Sequence, residues 1–232
     1  MLKSLLFTAI LCAANAWPLQ TATASVVKGQ IDDFESGTTL NWANGGAPQP
    51  LNITTGGPAG ANDNFLKVTA DGSGSVGKLT VFNRSQWLGN YLGQGINEID
   101  MDLENLGSTP LTIRLAFKST TSNGAPSYLS AGFALPADAI WHHAAFQITP
   151  GSMIAVSGPT AFSTFFTSEA EMRIINEAGA ANSNGDVVVS QLGIDNITAL
   201  PEPSSLILAA SGGLAWLLLV LRYRRSVRLI RT

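Results

Sequence analysis

The chain has 232 residues, of which 45% are hydrophobic and 12% charged, with 23 Gly, 11 Pro and a single Cys. That excludes collagen, a coiled coil and generic disorder: Gly has no three-residue period, charges are too few for paired e/g positions, and apolar content is too high. Residues 25–200 hold seven basic and fifteen acidic side chains, a net of −8, so a nucleic-acid ligand is excluded for want of a basic stripe.

Residues 1–24 read as a secretory signal peptide. Lys3 supplies the positive start, Leu5 to Ala14 is an apolar run too short to span a bilayer, and Ala22-Thr23-Ala24 offers a small-residue cleavage site. Its expected partners are the export machinery and signal peptidase. Cys12, the only cysteine, lies inside this run. The mature domain would have no thiol, which removes disulfides, cysteine-ligated zinc and cysteine nucleophiles.

Residues 25–200 form the expected exported domain. Strand-like runs at Phe65–Ala70, Lys78–Asn83, Glu98–Leu103, Leu111–Lys118, Tyr128–Leu135, Ala144–Thr149, Glu171–Ile175 and Val187–Thr198 alternate with Gly-, Pro- and Asn-rich turns. Several have the two-residue period of a sheet with one buried face. Ile99, Met101 and Leu103 oppose Asp100, Asp102 and Glu104; Leu111, Ile113, Leu115 and Phe117 oppose Thr112, Arg114 and Lys118. No amphipathic helix of twelve residues stands out. The fold class is all-β, a β-sandwich of the jelly-roll type.

Three motifs in this domain tempt and are declined. Gly72 to Gly77 satisfies GxGxxG, but Lys-Leu-Thr-Val-Phe follows where a phosphate-binding helix is needed, so a hairpin loop is expected. His142 and His143, the only histidines, point to opposite faces of a strand and cannot share a metal. Asp100 and Asp102 lie on one outer face with no evident cleft, and no GxSxG elbow exists, so no catalytic residues are assigned. Trp87, Tyr91, Tyr128 and Trp141 are the candidate sugar-stacking platform, against the alternative that a sandwich needs them in its core, as Trp42 suggests.

The opening Ile31-Asp32-Asp33-Phe34-Glu35-Ser36-Gly37 with Trp42, and the close Leu192-Gly193-Ile194-Asp195-Asn196-Ile197, resemble the first and last strands of carbohydrate-binding-module-like and galactose-binding-like jelly rolls. The resemblance implies a structural Ca²⁺ held by acids of the first and last strands, with Asp33, Glu35 and Asp195 as the matching candidates. It also implies a polysaccharide ligand.

Leu206 to Leu221 is a sixteen-residue uncharged run, and Arg222, Arg224, Arg225, Arg228 and Arg231 follow at once. A single membrane helix at about 204–221 is expected, with the arginine tail, residues 222–232, on the cytoplasmic side. Pro201-Glu202-Pro203 precedes it. Together Pro201 to Arg225 resemble the PEP-CTERM sorting signal of Gram-negative bacteria, which implies recognition by an exosortase and a biofilm or exopolysaccharide setting. The reading is an exported, non-enzymatic protein, first held in the inner membrane with its domain in the periplasm. It is then sorted to the cell surface or matrix, where it acts structurally, adhesively or by binding exopolysaccharide. A secreted carbohydrate-active enzyme or its binding module, and an unprocessed single-pass membrane protein, remain alternatives.

Overall fold

The computed structural model describes residues 25–201, apart from 47, 75–76, 121–124, 159, 169 and 181. The signal-peptide reading, the expected membrane helix, and Glu202, Pro203, Arg222, Arg224 and Arg225 lie outside the described residues. Among the described residues no helix is long and apolar enough to cross a membrane.

In chain order the strands are β1 (Ile31–Asp32), β2 (Trp42–Ala43), β3 (Leu51–Ile53), β4 (Phe65–Asp71), β5 (Thr80–Asn83), β6 (Ile96–Asn105) and β7 (Leu111–Ser119). They continue with β8 (Ser127–Leu129), β9 (Phe133–Leu135), β10 (Trp141–Gln147) and β11 (Ile154–Ser157). One helical turn, α1 (Phe162–Phe166), precedes β12 (Ala170–Asn176) and β13 (Val189–Pro201). Two antiparallel sheets face one another. The first runs β10-β6-β13-β4-β3 with β1 beside β13; the second runs β11-β8-β7-β12-β5-β2 with β9 beside β7.

Alternation explains the layering. Ile99, Met101 and Leu103 of β6 meet Ile113, Leu115 and Phe117 of β7 in one core, to which Leu66, Val68, Met172, Ile174, Leu192 and Ile194 also belong. The residues between them point outward, as a period of two requires. Every long strand expected from the sequence is present, with shifted ends. The run 128–135 is two short strands, β8 and β9, rather than one. The strands β1, β2, β3 and β11, at two to four residues each, are too short to leave an alternating signal.

The glycine-rich stretch 72–77 is not a hairpin loop. It leaves β4 in the first sheet and enters β5 in the second, so it crosses the sandwich. A strand does follow it, as the refusal of a nucleotide site required.

The two ends of the domain are tied together. Ile31 and Asp32 of β1 lie opposite Thr198 and Ile197 of β13. At Asp195–Thr198 the ladder to β6 shifts register, and Asn196 takes φ 52° there. This bulge kinks the longest strand and sets Asp195 on the outer face beside Asp102. β13 continues through Pro201, opposite Ile96.

Candidate functional site

The expected aromatic platform does not exist as a surface. Trp87 and Tyr91 are fully buried, and Tyr128 is 6% exposed. The Tyr91 ring packs edge-on against Phe117 and Phe166, and Tyr128 lies tilted against Phe165 and Phe166. A two-sheet core of this width needs large planar fillers, and these residues supply them. Trp42 is buried likewise.

An acid that the sequence reading passed over organises two of these rings. Asp32 Oδ2 accepts the indole N–H of both Trp42 and Trp87, each at 2.7 Å, and a third bond from the Gln86 amide at 3.3 Å. Burial raises the Asp32 carboxyl above its ordinary range, against the pull of those three donors. The arrangement is a structural clamp rather than a reactive acid: indole N–H groups buried without an acceptor would be unsatisfied. Only Trp141 of the expected four is partly exposed. Its N–H donates to the Gly56 carbonyl at 3.0 Å and its ring meets Phe65 edge-on. Gly193 opposite makes this close approach feasible, since a Cβ there would lie 2.9 Å from the Trp141 ring.

The outer face of the first sheet is acidic. Glu98, Asp100, Asp102 and Glu104 alternate along β6, and Asp195 joins them from β13. The Asp195 side chain is buried. Its Oδ1 accepts the Asn196 backbone N–H at 2.7 Å, while Oδ2 has no partner among the described residues. Burial, with added repulsion from Asp63, Asp102 and Glu35, pushes its carboxyl up to about 7.

Of the three expected cation ligands, Glu35 lies near enough for its negative charge to help raise the Asp195 carboxyl. Asp33 and Glu35 are both exposed, and Asp33 accepts the Glu35 backbone N–H at 3.2 Å. Phe34 between them is fully buried and has φ 57°, which anchors the turn that presents Glu35. Glu35 Oε1 accepts the Asn64 backbone N–H at 2.7 Å. Among the described residues no three Asp, Glu, His or Cys side chains converge as a ready metal shell. A hard cation would therefore draw on Asp195, Glu35, backbone carbonyls and water. The orphaned Asp195 oxygen fits that role.

On the same face His143 bridges the acids, with Nδ1 3.1 Å from Asp102 and Nε2 3.3 Å from Asp100. The Asp102 bond leads the causes that raise the imidazole above its ordinary range. His142 turns the other way and pairs with Asp138 at 3.0 Å.

The outer face of the second sheet has the opposite charge. Arg173 of β12 sits across from Phe82 of β5 and Ala116 of β7. Glu171, 2% exposed at its side chain, binds both Arg84 and Arg173. The Arg84 guanidinium lies 4.5 Å from the Phe82 ring centre and that of Arg173 5.3 Å. Burial and the nearby Arg173 charge together lower the Lys118 ammonium below its ordinary range, with Glu171 opposing.

A cavity of about 300 Å³ opens beside this cluster, lined by Asn44, Lys78, Thr80, Phe82, Arg173 and Asn184, with the Gly45-Gly46 backbone at its rim. The Asn44 amide nitrogen is buried there with no acceptor among the described residues. A planar ring, amide groups and cations around an open hollow can take a polar, ring-shaped ligand. Sequence reasoning missed this site because its residues come from four separated segments, and Phe82 alone gave no pattern.

No family model matches the chain, and no curated protein is similar to it. Solved structures are similar in fold. A chain described under "Structural analysis of an exo-beta-agarase" has a TM-score of 0.51 at 12% identity; the likeness covers 76% of this chain and 25% of that one. The present chain thus spans about a quarter of the agarase's length. The family 11 carbohydrate-binding module from Clostridium thermocellum, solved with a β-1,3-1,4-mixed-linked tetrasaccharide, has a TM-score of 0.46 at 14% identity, over 76% and 97% of the two chains. The CBM22-2 xylan-binding domain from Paenibacillus barcinonensis Xyn10C has 0.43 at 14%, over 73% and 98%.

Proposed function

We propose that the chain is an exported, non-catalytic polysaccharide-binding protein of the cell surface or extracellular matrix. The observation that carries this reading is the open cavity on the second sheet, where Phe82, Arg173, Asn44 and Asn184 surround a space of about 300 Å³. Sugar rings offer apolar CH faces to aromatic and guanidinium planes, and hydroxyls to amides. The jelly-roll likeness to polysaccharide-binding modules supports the same reading. The test is retention of the full chain, purified in detergent, on immobilised polysaccharides, with Phe82→Ala as the variant. Retention lost in that variant, without release of reducing ends by the parent, supports a binding protein. Steady release of reducing ends would replace it with a carbohydrate-active enzyme.

The delivery route belongs to the same proposal. Residues 1–24 direct export, the apolar helix at about 204–221 holds the precursor in the inner membrane, and an exosortase acts at Pro201-Glu202-Pro203, with Arg222, Arg224 and Arg225 as the retained cytoplasmic marker. Intact mass of surface-released protein checks it: the arginine tail should be absent.

A structural Ca²⁺ completes the reading. Asp195 and Glu35 would hold it, with Asp63 nearby and Asp33 as a further candidate oxygen donor. When bound, the ion would neutralise carboxylates whose mutual repulsion raises Asp195.

A further inference from the structure

We propose that the cavity on the second sheet, with the cation row beside it, takes an anionic polysaccharide, one whose repeat carries a carboxylate or sulfate group. This deepens the proposed polysaccharide-binding function and rests on it. Three observations carry the inference.

The first is where the scarce cations are. Residues 25–200 contain only seven bases. Two of them, Lys78 and Arg173, line the cavity itself. Arg84 reaches it through the shared Phe82 ring and the shared Glu171 carboxylate, and Lys118 flanks Glu171 across the β7–β12 ladder. In a domain of net −8, four of the seven bases thus gather around one patch.

The second is that this concentration is held against repulsion. One buried carboxylate, Glu171, serves two guanidinium groups, so the cluster keeps a net positive charge after its internal pairing. Lys118 feels the excess: the Arg173 and Arg84 charges both disfavour its ammonium form. An anion laid along the row would relieve the repulsion that the fold maintains.

The third is chemical shape. Arg173 points its Nε at Glu171 and an Nη towards the Asn184 side chain at 3.5 Å, so its plane is fixed. Arg84 is 58% exposed at its side chain, with further N–H donors beyond the Nε that meets Glu171. A guanidinium plane with further N–H groups suits a carboxylate or sulfate oxygen pair. The acidic face of the first sheet lies on the opposite side of the sandwich, so a chain docking on the second sheet avoids it.

The full chain in detergent is tested by affinity electrophoresis and titration calorimetry against alginate, dextran sulfate, neutral mixed-linkage β-glucan and duplex DNA at low and high salt. Tighter binding of alginate or dextran sulfate than of the neutral glucan, by about tenfold or more, is expected. Whichever polyanion leads identifies the carboxylate or the sulfate as the recognised group. Arg84→Gln and Lys118→Gln should each weaken that binding several-fold, while Lys67→Gln on the other sheet should not. Arg84→Gln leaves Glu171 paired with Arg173, so it keeps the test sound if Lys118→Gln misfolds. Neutral glucan bound as well as the polyanions, and lost on Phe82→Ala but not on Arg84→Gln, would overturn the inference and leave the polysaccharide reading standing. DNA bound as tightly as either glycan, with Lys67→Gln as damaging as Arg84→Gln, would reduce it to unspecific charge. Retention of none of the four would overturn both readings.

Discussion

Each outer face of this sandwich holds a deeply buried carboxylate, Glu171 on the second sheet and Asp195 on the first, and the protein treats the two in opposite ways. On the second sheet Glu171 sits between two guanidinium groups, its charge matched within the fold. On the first sheet Asp195 is as deeply buried, yet its neighbours are Asp63, Asp102 and Glu35, and one of its oxygens has no partner among the described residues. Glu171 is complete as it stands. Burial, with the like charges of Asp63, Asp102 and Glu35 around it, raises the Asp195 carboxyl to about 7. Burial alone therefore says little about a carboxylate; the sign of what surrounds it decides whether ionisation is supported or opposed.

Removing each acid breaks the comparison most directly. Glu171→Ala should destabilise the fold by roughly 3 kcal/mol, since it leaves Arg173 in a largely covered position without its partner. Asp195→Asn should do the reverse in excess chelator at pH 8, stabilising by about 2 kcal/mol, because an amide carries no charge to desolvate. Urea unfolding of the full chain in detergent, followed by tryptophan fluorescence, measures both. Two losses of similar size would mean that Asp195 has a protein counter-charge after all.

Calcium sharpens the same contrast. Adding Ca²⁺ should raise the melting temperature of the parent, chelator should lower it again, and Asp195→Asn should abolish the response. A ligand at a hundredfold excess over its dissociation constant stabilises by roughly 2.7 kcal/mol, which would be several degrees in a domain of this size. Glu171 variants, though less stable, should keep the full calcium shift. A melting curve indifferent to both ion and chelator would remove the cation from Asp195 and Glu35.

How much of this contrast was legible beforehand depends on whether a local period could carry it. The alternation in β6 and β7 placed Asp100, Asp102, Arg114 and Lys118 outward correctly, because long strands print their two faces into the sequence. The likeness of the two chain ends pointed to Asp33, Glu35 and Asp195, and of these Glu35 lies near enough for its charge to act on Asp195. The platform of Trp87, Tyr91 and Tyr128 failed for a physical reason: aromatic side chains suit a wide core and a sugar surface equally well, and composition does not separate them. Asp32 was invisible as a clamp, since its partners Trp42 and Trp87 are ten and 55 residues away. The cavity on the second sheet draws on turns as well as strands, so no single stretch announced it.

The pH dependence of stability follows from the acidic face. In metal-free protein the folded Asp195 carboxyl titrates near 7, above its ordinary 3.8. A raised acid contributes its full stability below the unfolded value and loses it as pH climbs to the folded one. Stability of the parent in chelator should therefore fall between about pH 4 and pH 7 and level off above. With saturating Ca²⁺ the decline should flatten. Asp195→Asn should flatten it as well, leaving whatever slope the other groups impose.

That residual slope brings the smallest expected effect, at His143. Its ring is raised above the ordinary imidazole value first by the Asp102 bond and then by the charges of Asp100 and Asp102. A raised base works in the same direction as a raised acid: its stabilisation is complete below the unfolded value of 6.5 and fades as pH passes the folded one. The side chain is 64% exposed, so solvent screens the pairing and the contribution should stay below ~1 kcal/mol. The measurement is a difference: His143→Gln in the Asp195→Asn background, with unfolding followed from pH 5.5 to 8.5 at low and high salt. The double variant should lose the remaining decline in that window, and high salt should shrink it in the single variant. An undiminished slope in the double variant would place the titration elsewhere on the acidic face, with Glu98, raised by burial and by Asp100, as the next group to test.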